Sequence, residues 1–312
     1  MYRILFAGTP NFSVPSLQKL AEMTGIKIEL VLTQPARLSG RGLKSVSSPI
    51  KDLASELGLL VITPENLVRE DFVGREFDLG VVVAYGKILP PWLLDLPKLG
   101  WINLHPSKLP KFRGPSPIQA AIASGEVETA STIIKLDEQM DHGPVVAQSE
   151  IIPIFSSDNY FTLSTKLASQ GSELLASVIL PYLAGDLKPV EQNHDSATYC
   201  KLIKKENGAL DFTKTAKQIF NTVRAFSSWP GTAFNGLKIL EVKISPISLE
   251  AGVLFIDKSY IPFVGTADQA VELVRVQFPG GRSLSGQELV RDHADRLGKI
   301  FELDARESGP EN

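Results

Sequence analysis

The stretch Trp101-Ile-Asn-Leu-His-Pro-Ser107 begins as a buried strand and ends in a loop that proline interrupts. Side chains two residues apart on a strand point to the same face, so Asn103 and His105 are expected to converge. Open α/β sheets bind their ligands beyond the carboxyl ends of the strands. The stretch therefore predicts an amide and an imidazole side by side at the ligand-binding edge of such a sheet.

Further short apolar runs precede this stretch and alternate with segments of helical character, such as Val14 to Met23. The alternation predicts an α/β fold with a parallel-dominated sheet that is wound by helices. The predicted strands are Ile4 to Phe6, Ile28 to Leu32, Leu59 to Ile62, Leu79 to Ala84 and Trp101 to Leu104. The first turn, Gly8-Thr9-Pro10, matches neither the dinucleotide fingerprint nor a phosphate P-loop, so we expect neither nicotinamide nor nucleoside triphosphate there.

The second half of the chain has a different pattern and predicts a separate, β-rich domain. A polar segment rich in lysine follows the first domain, and beyond it Ala216 to Ala225 is typical of a helix. Short alternating runs then predict a small β-barrel-like module; they are Leu237 to Val242, Val253 to Phe255 and Val271 to Val276. We expect a first domain over residues 1–189, a basic connector over 190–206, a second domain over 207–312, and a frayed terminus from Glu302.

Composition narrows the class of protein. The chain has 312 residues with a formal net charge of −3 and a single cysteine, Cys200. The net negative charge argues against non-specific binding of nucleic acid. A single cysteine excludes a disulfide bond within the chain. Neither a signal peptide pattern nor an apolar run of membrane-spanning length is present, so we expect a cytoplasmic protein. No cluster has metal-ligand spacing, and we expect no metal.

The amide and imidazole require a carboxylate to complete an acid–base unit. Asp141 lies in a glycine-containing loop after a predicted strand, where folding can bring it beside His105; Asp137 and Glu138 compete for the same role. A carboxylate orients an imidazole, while Asn103 and His105 can donate to the oxygen of a tetrahedral intermediate. The pattern indicates an enzyme that processes a carbonyl group.

A longer motif carries a family resemblance. The run Gly100-Trp-Ile-Asn-Leu-His-Pro-Ser-Lys-Leu-Pro-Lys-Phe-Arg-Gly-Pro-Ser-Pro117, together with Asp141-His-Gly143, resembles the signature of the folate-dependent formyltransferases. The resemblance implies a Rossmann-like catalytic domain, an OB-like β-barrel domain and N10-formyltetrahydrofolate as formyl donor. It also implies that Asn103, His105 and Asp141 are catalytic. By the same resemblance, the donor-binding residues are Val83, Tyr85, Gly86, Ile88, Leu89, Ser107 and Pro110.

Within that family, the chain is most similar to the branch that formylates initiator methionyl-tRNA. The similarity lies in the Gly40-Arg41-Gly42 loop, in the connector from Tyr199 to Gly208, and in Trp229-Pro-Gly231. It implies a role in translation initiation and tRNA contacts from basic side chains that can position phosphates. These residues are Arg37, Arg41, Lys44, Lys201, Lys204 and Lys205. We expect a monomer without a stable protein partner.

Other interpretations of the same residues stay open at this point. The catalytic trio also fits a formyltransferase that acts on a nucleotide-sugar amine or a ribotide amine, or a formyltetrahydrofolate hydrolase. A non-catalytic RNA-binding protein would use only the basic patches. Residues Lys108, Gln119, Gln139 and His142 depart from the family pattern, but none belongs to the trio.

Overall fold

The computed structural model describes residues 1–39 and 44–304. Contacts between residues divide the chain into two compact units. The first comprises Met1–Pro117, Glu128–Pro153 and Ser164–Lys201; the second comprises Ile118–Val127, Ile154–Leu163 and the chain from Leu202 onward. The connector therefore contributes its residues up to Lys201 to the first unit.

In the described residues, seven strands form the main sheet of the first unit. They are β1 (Tyr2–Gly8), β2 (Ile26–Leu32), β5 (Val61–Ile62), β6 (Leu79–Val83), β7 (Trp101–His105), β9 (Thr132–Lys135) and β10 (Val145–Gln148). Their order is β10-β9-β7-β6-β1-β2-β5. The neighbouring strands β5, β2, β1, β6 and β7 pair in parallel with one another. Strand β9 pairs antiparallel with both β7 and β10. The predicted α/β fold with a parallel-dominated sheet is confirmed.

Two short antiparallel strand pairs lie outside this sheet. Strands β3 (Arg37–Ser39) and β4 (Lys44–Val46) pair with each other, as do β8 (Glu128–Thr129) and β11 (Ile152–Pro153). The first five helices in chain order are α1 (Val14–Glu22), α2 (Pro49–Glu56), α3 (Pro91–Leu94), α4 (Pro117–Ser124) and α5 (Tyr160–Ala184). Helix α4 from Ile118 and the start of α5 up to Leu163 belong to the second unit. Helices α1 and α2 each have a proline in their first turn. Backbone N–H groups in the first turn have no acceptor within the helix, so the N–H that proline lacks is no loss there.

The centre of the sheet is packed by apolar side chains on both faces. Ile4, Leu5 and Phe6 of β1 are fully buried, as a parallel strand covered on both sides requires. Gly80 of β6 lets the ring of Trp101 lie flat against the backbone, because a Cβ at Gly80 would come within 2.1 Å of that ring. The indole N–H of Trp101 donates to the carbonyl of Leu93 at 2.7 Å. These contacts fix β7 beside β6.

The second unit is built on a curled sheet. Its strands are β12 (Ala233–Phe234), β13 (Leu237–Ser245), β14 (Val253–Ile256), β15 (Pro262–Gly265), β16 (Ala270–Gln277), β17 (Ser283–Ser285) and β18 (Glu302–Leu303). The order is β12-β13-β16-β15-β14-β18, and β17 pairs with β16. Helices α6 (Ala216–Ala225) and α7 (Gly286–Leu297) belong to this unit, and each begins with a capping box, at Thr215 and Ser285.

The expectation of a frayed terminus was wrong for its first two residues, and its part over residues 305–312 lies outside the described residues. Glu302 and Leu303 are not frayed, because they form β18 and pair in parallel with Val253 and Leu254. Backbone hydrogen bonding to an edge strand orders a polar segment that has little apolar surface of its own. Within residues 1–39 and 44–304, no helix combines the length and the apolar character that crossing a bilayer requires.

Candidate active site

Asn103 and His105 lie at the carboxyl end of β7. Asn103 is opposite Val82 of the parallel neighbour β6, so the loop that leaves β6 begins at the same edge of the sheet. His105 is only 4% exposed, whereas Asn103 is partly open to solvent. The two side chains share one face of the strand, because they are two residues apart.

The carboxylate of Asp141 lies against both of these side chains. Asn103 donates from Nδ2 to Oδ1 of Asp141 at 3.2 Å. The other oxygen, Oδ2, accepts the backbone N–H of Gly114 at 2.8 Å and lies 3.5 Å from Nδ1 of His105. The structure therefore brings together the three side chains that the sequence singled out. Asp137 is engaged elsewhere, with its Oδ2 at 2.7 Å from Nδ1 of His142.

Both ring nitrogens of His105 face oxygen atoms. Nε2 lies 3.0 Å from the carbonyl oxygen of Phe112, which can only accept, while Nδ1 faces the carboxylate of Asp141. A neutral imidazole has one N–H and one lone pair, so it would turn a lone pair toward one of these oxygens. Nε2 is within hydrogen-bond distance of the Phe112 carbonyl, and Nδ1 lies at ion-pair distance from the Asp141 carboxylate.

The loop from Pro106 to Ser116 is held by the strand-like segment at Thr198–Cys200. The backbone N–H of Arg113 donates to Thr198 at 2.8 Å, and that of Cys200 donates to Arg113 at 2.8 Å. Within the loop, the hydroxyl of Ser107 donates to the Lys111 carbonyl at 2.6 Å, and the Pro110 carbonyl accepts from the N–H of Thr198 at 3.2 Å. Ser107 and Pro110, predicted to contact the donor, thus already hold the loop that carries Gly114.

Cys200 lies under the same loop. Its Sγ accepts the N–H of Ser116 at 3.3 Å, and burial raises the pKa of the thiol. A raised pKa lowers the fraction of the nucleophilic thiolate. Cys200 is therefore a packing residue of this loop.

The residues predicted to line the donor cleft follow β6, next to the trio. Val83 and Leu89 are buried, and Ile88 between them is 87% exposed. The Tyr85 carbonyl accepts from Oγ1 of Thr9 at 2.8 Å and from Nε2 of Gln34 at 2.7 Å. Gly86 has a φ of +81°, and a Cβ there would approach Nε2 of Gln34 to 2.5 Å. A fixed backbone thus carries an exposed apolar side chain at the ligand-binding edge.

The Tyr85 side chain points into the core. It is 1% exposed, its hydroxyl has no hydrogen-bond partner among the described residues, and burial raises its pKa to about 12. A buried hydroxyl without a partner destabilises the fold. The side chain of Tyr85 is therefore placed for packing, and only its backbone faces the cleft edge.

The predicted tRNA-binding residues are described only in part. The guanidinium of Arg37 is exposed and donates to the side-chain oxygen of Gln34. Arg41 lies outside the described residues, and Lys44 is described only by its backbone in β4. Lys201 is exposed at the end of the first unit, and Lys204 and Lys205 are exposed in the second.

Sequence reasoning missed several groups that hold the trio. The N–H of Gly114 and the carbonyl of Phe112 are backbone atoms, so residue type does not reveal them. Gln192 donates to the backbone carbonyl of Asp141 and accepts from Arg113, although Gln192 is 51 residues from Asp141 in sequence. Among the described residues, no group of three or more histidine, cysteine, aspartate or glutamate side chains could hold a metal ion.

Comparison with known proteins places this chain in a family. Residues 2–179 match the model of the formyl transferase domain, and residues 202–294 match that of the formyl transferase C-terminal domain. The chain belongs to the formyl transferase family. This membership confirms the resemblance that the Asn103 and Asp141 motifs carry.

Curated relatives within the family match the chain from end to end. A methionyl-tRNA formyltransferase of Hydrogenobaculum is 38% identical over 305 residues, which cover 96% of this chain and 100% of the relative. A methionyl-tRNA formyltransferase of Bacillus pumilus is 38% identical over 314 residues, which cover 97% and 98%.

A solved formyl transferase shares the fold at lower identity. The N-formyltransferase of Helicobacter canadensis, solved with folinic acid and dTDP-3-aminofucose, superposes with a TM-score of 0.68 at 21% identity. The match covers 88% of this chain and 99% of that one. At this identity the likeness concerns the fold alone.

Proposed function

We propose that this chain transfers the formyl group of N10-formyltetrahydrofolate to the α-amine of methionyl initiator tRNA, in the cytoplasm and in the service of translation initiation. The observation that carries the proposal is the trio at the carboxyl end of β7. There the Asp141 carboxylate is bound by Asn103 and by the Gly114 N–H, and faces His105. The full-length match to methionyl-tRNA formyltransferases supports this acceptor over the other amines.

The first step is attack of the neutral amine on the formyl carbon. A nitrogen–carbon bond forms, and negative charge develops on the formyl oxygen. The hydrogen bond to Asp141 uses one N–H of the Asn103 amide, which leaves its second N–H to donate to that oxygen. Protonated His105 is the second donor. Its Nε2–H leaves the carbonyl oxygen of Phe112 and donates to the formyl oxygen of the substrate instead.

The second step is proton transfer and loss of the folate nitrogen. The carboxylate of Asp141 accepts the proton that the attacking amine loses, directly or through water. The bond from the formyl carbon to N10 then breaks, and N10 takes up a proton as it leaves. A carboxylate held by two N–H donors keeps its orientation through both transfers.

The donor fits the cleft edge that follows β6. Its pteridine ring is planar, with an apolar face and polar edges, and the exposed side chain of Ile88 offers apolar area for the face. Main-chain groups between Val83 and Leu89 offer partners to the edges. Because Thr9 and Gln34 hold the Tyr85 carbonyl, that backbone is in place before the donor arrives.

The acceptor would be positioned by the basic side chains. We propose that Arg37, Arg41 and Lys44 contact the acceptor arm of the tRNA. The connector lysines Lys201, Lys204 and Lys205 would bind phosphates without reading sequence. This assignment keeps residues 1–189 as the catalytic domain, 190–206 as the basic connector and 207–312 as a tRNA-binding domain.

A comparison of acceptors, each assayed separately, tests the proposal. The purified protein is incubated with N10-formyltetrahydrofolate and one acceptor at a time: initiator methionyl-tRNA, a UDP-amino sugar, a dTDP-amino sugar or glycinamide ribotide. We expect formylation of methionyl-tRNA alone. N-acetylated methionyl-tRNA is the matched control, since its amine is blocked. Formylation of an amino sugar or the ribotide in place of methionyl-tRNA would contradict the proposed acceptor, and the absence of formyl transfer to any of them would contradict the reaction.

A further inference from the structure

Arg113 is a cation in the interior of the first unit. It is 1% exposed, and among the described residues its side chain has no carboxylate partner. Its Nε and Nη2 donate to Oε1 of Gln192 at 3.2 and 2.8 Å. Nη2 also lies 2.9 Å from Nδ1 of His194, and Nη1 lies 3.5 Å from the hydroxyl of Tyr199. A buried guanidinium without a carboxylate partner is unfavourable, which makes a purely structural role a poor explanation for it.

Gln192 links Arg113 to the Asp141 loop through hydrogen bonds on both sides of its amide. Its Oε1 accepts two N–H groups from Arg113, and its Nε2 donates to the carbonyls of Asp141 at 2.9 Å and Gly143 at 2.7 Å. The amide thereby uses its full hydrogen-bonding capacity. Donors on a cation polarise the amide, and this strengthens the bonds that its own N–H groups make.

The loop that Gln192 grips has a backbone conformation that needs support. Asp141 has a φ of +50°, in the left-handed region that residues other than glycine avoid. At the other end of the grip, Gly143 packs so closely that a Cβ there would lie 1.9 Å from the Lys135 carbonyl. This backbone conformation sets the direction of the Cα–Cβ bond of Asp141. In it, Oδ1 accepts from Asn103 and Oδ2 accepts from Gly114.

We propose that Gln192, anchored by Arg113, is a positioning residue for Asp141. It holds the Asp141 and Gly143 carbonyls and so keeps the carboxylate in register with Asn103 and His105. Gln192 itself does not touch the substrates. This inference rests on the proposed function for its kinetic consequence, but its structural consequence is independent of any activity.

Two substitutions separate the hydrogen bonds that Gln192 accepts from Arg113 from those that it donates to the Asp141 loop. Gln192→Glu keeps an oxygen that accepts from Arg113 and removes both N–H donors to the loop. Gln192→Leu removes all four bonds. Because Gln192→Glu pairs the buried guanidinium with a carboxylate, it is expected to stay folded even where Gln192→Leu unfolds. Gln139→Leu is the matched control, since that glutamine lies on the same loop with an exposed side chain.

The kinetic test is a double-mutant cycle. We expect Gln192→Glu to lower kcat for methionyl-tRNA formylation by about 10- to 100-fold and to change KM for either substrate by no more than about twofold. Combined with Asp141→Asn, it should add no further loss, because both changes remove the same positioned carboxylate. Additive losses, or wild-type kcat in Gln192→Glu, would overturn the proposal.

The structural test needs no substrate. Hydrogen exchange of the peptide over residues 138–144 should be at least about tenfold faster in Gln192→Glu than in the wild type and in Gln139→Leu. Unchanged exchange would refute the positioning role even if the enzyme formylates tRNA. Faster exchange in a protein without formyl transfer would instead leave the positioning role standing and defeat the proposed function.

Discussion

Replacing Gly114 by alanine disturbs the Asp141 carboxylate without changing any side chain of the trio. Gly114 has a φ of +119°, and a Cβ there would lie 2.4 Å from the carbonyl oxygen of Cys200 and 3.2 Å from its Sγ. The backbone N–H of the same residue donates to Oδ2 of Asp141 at 2.8 Å. The strand-like pairing of Arg113 with Cys200 prevents the backbone oxygen from moving aside alone.

The magnitude follows from these contacts. An alanine at this φ carries roughly 1–3 kcal/mol of backbone strain. Relieving the contact with Cys200 moves the N–H of residue 114, and loss of a hydrogen bond to a charged group costs about 1.5–3 kcal/mol. We therefore expect the free energy of unfolding to fall by roughly 2.5–6 kcal/mol. With the carboxylate displaced, kcat should fall by about 10- to 100-fold.

The assay combines urea unfolding with formylation of methionyl-tRNA at saturating substrates. Gly74→Ala is the matched control, because Gly74 also has a positive φ, of +74°, but a Cβ there would meet nothing within 4 Å. The control should lose roughly 1–2 kcal/mol of stability and no activity. If Gly114→Ala behaved like Gly74→Ala in both measurements, the Gly114 N–H would not be holding Asp141.

Two further substitutions test the loop after β6. Tyr85→Phe removes a buried hydroxyl whose raised pKa, about 12, means that the folded protein binds the proton more tightly than the unfolded chain. Between pH 8 and pH 11, the free energy of unfolding of the wild type should therefore fall by roughly 1 kcal/mol more than that of the variant. Urea unfolding at both pH values measures this difference. Equal declines in the two proteins would contradict a raised pKa at Tyr85. Ile88→Ser should raise KM for the formyl donor roughly tenfold, with stability unchanged to within about 0.5 kcal/mol. Val73→Ser, another exposed position of the first unit, is the control, and an unchanged KM in Ile88→Ser would remove Ile88 from the donor site.

The strands and the spacing of the trio were predictable because they depend on local pattern. Asn103 and His105 are two residues apart on a strand, so their common face follows from strand geometry. The first helix was predicted to within a residue, since Pro15 and the apolar spacing mark it. The strands of the second unit at Leu237, Val253 and Val271 followed from alternation in the same way.

The support of the trio was not predictable, because it depends on contacts between distant segments. Gln192 reaches Arg113 across 79 residues and Asp141 across 51, and no periodicity in the sequence links these positions. Backbone donors and acceptors, such as the Gly114 N–H, are invisible in a sequence because every residue type except proline has them. The pairing of Glu302 and Leu303 with β14 was missed for the same reason.

Single-turnover formyl transfer by Asn103→Ala tests the central claim most directly. The amide of Asn103 contacts Asp141 with one N–H, and in the proposed mechanism its second N–H donates to the developing oxyanion. The transfer rate from N10-formyltetrahydrofolate to methionyl-tRNA is predicted to fall by about 10²–10³, in a protein whose melting temperature matches the wild type. A folded Asn103→Ala variant that transfers the formyl group at a near wild-type rate would contradict the account.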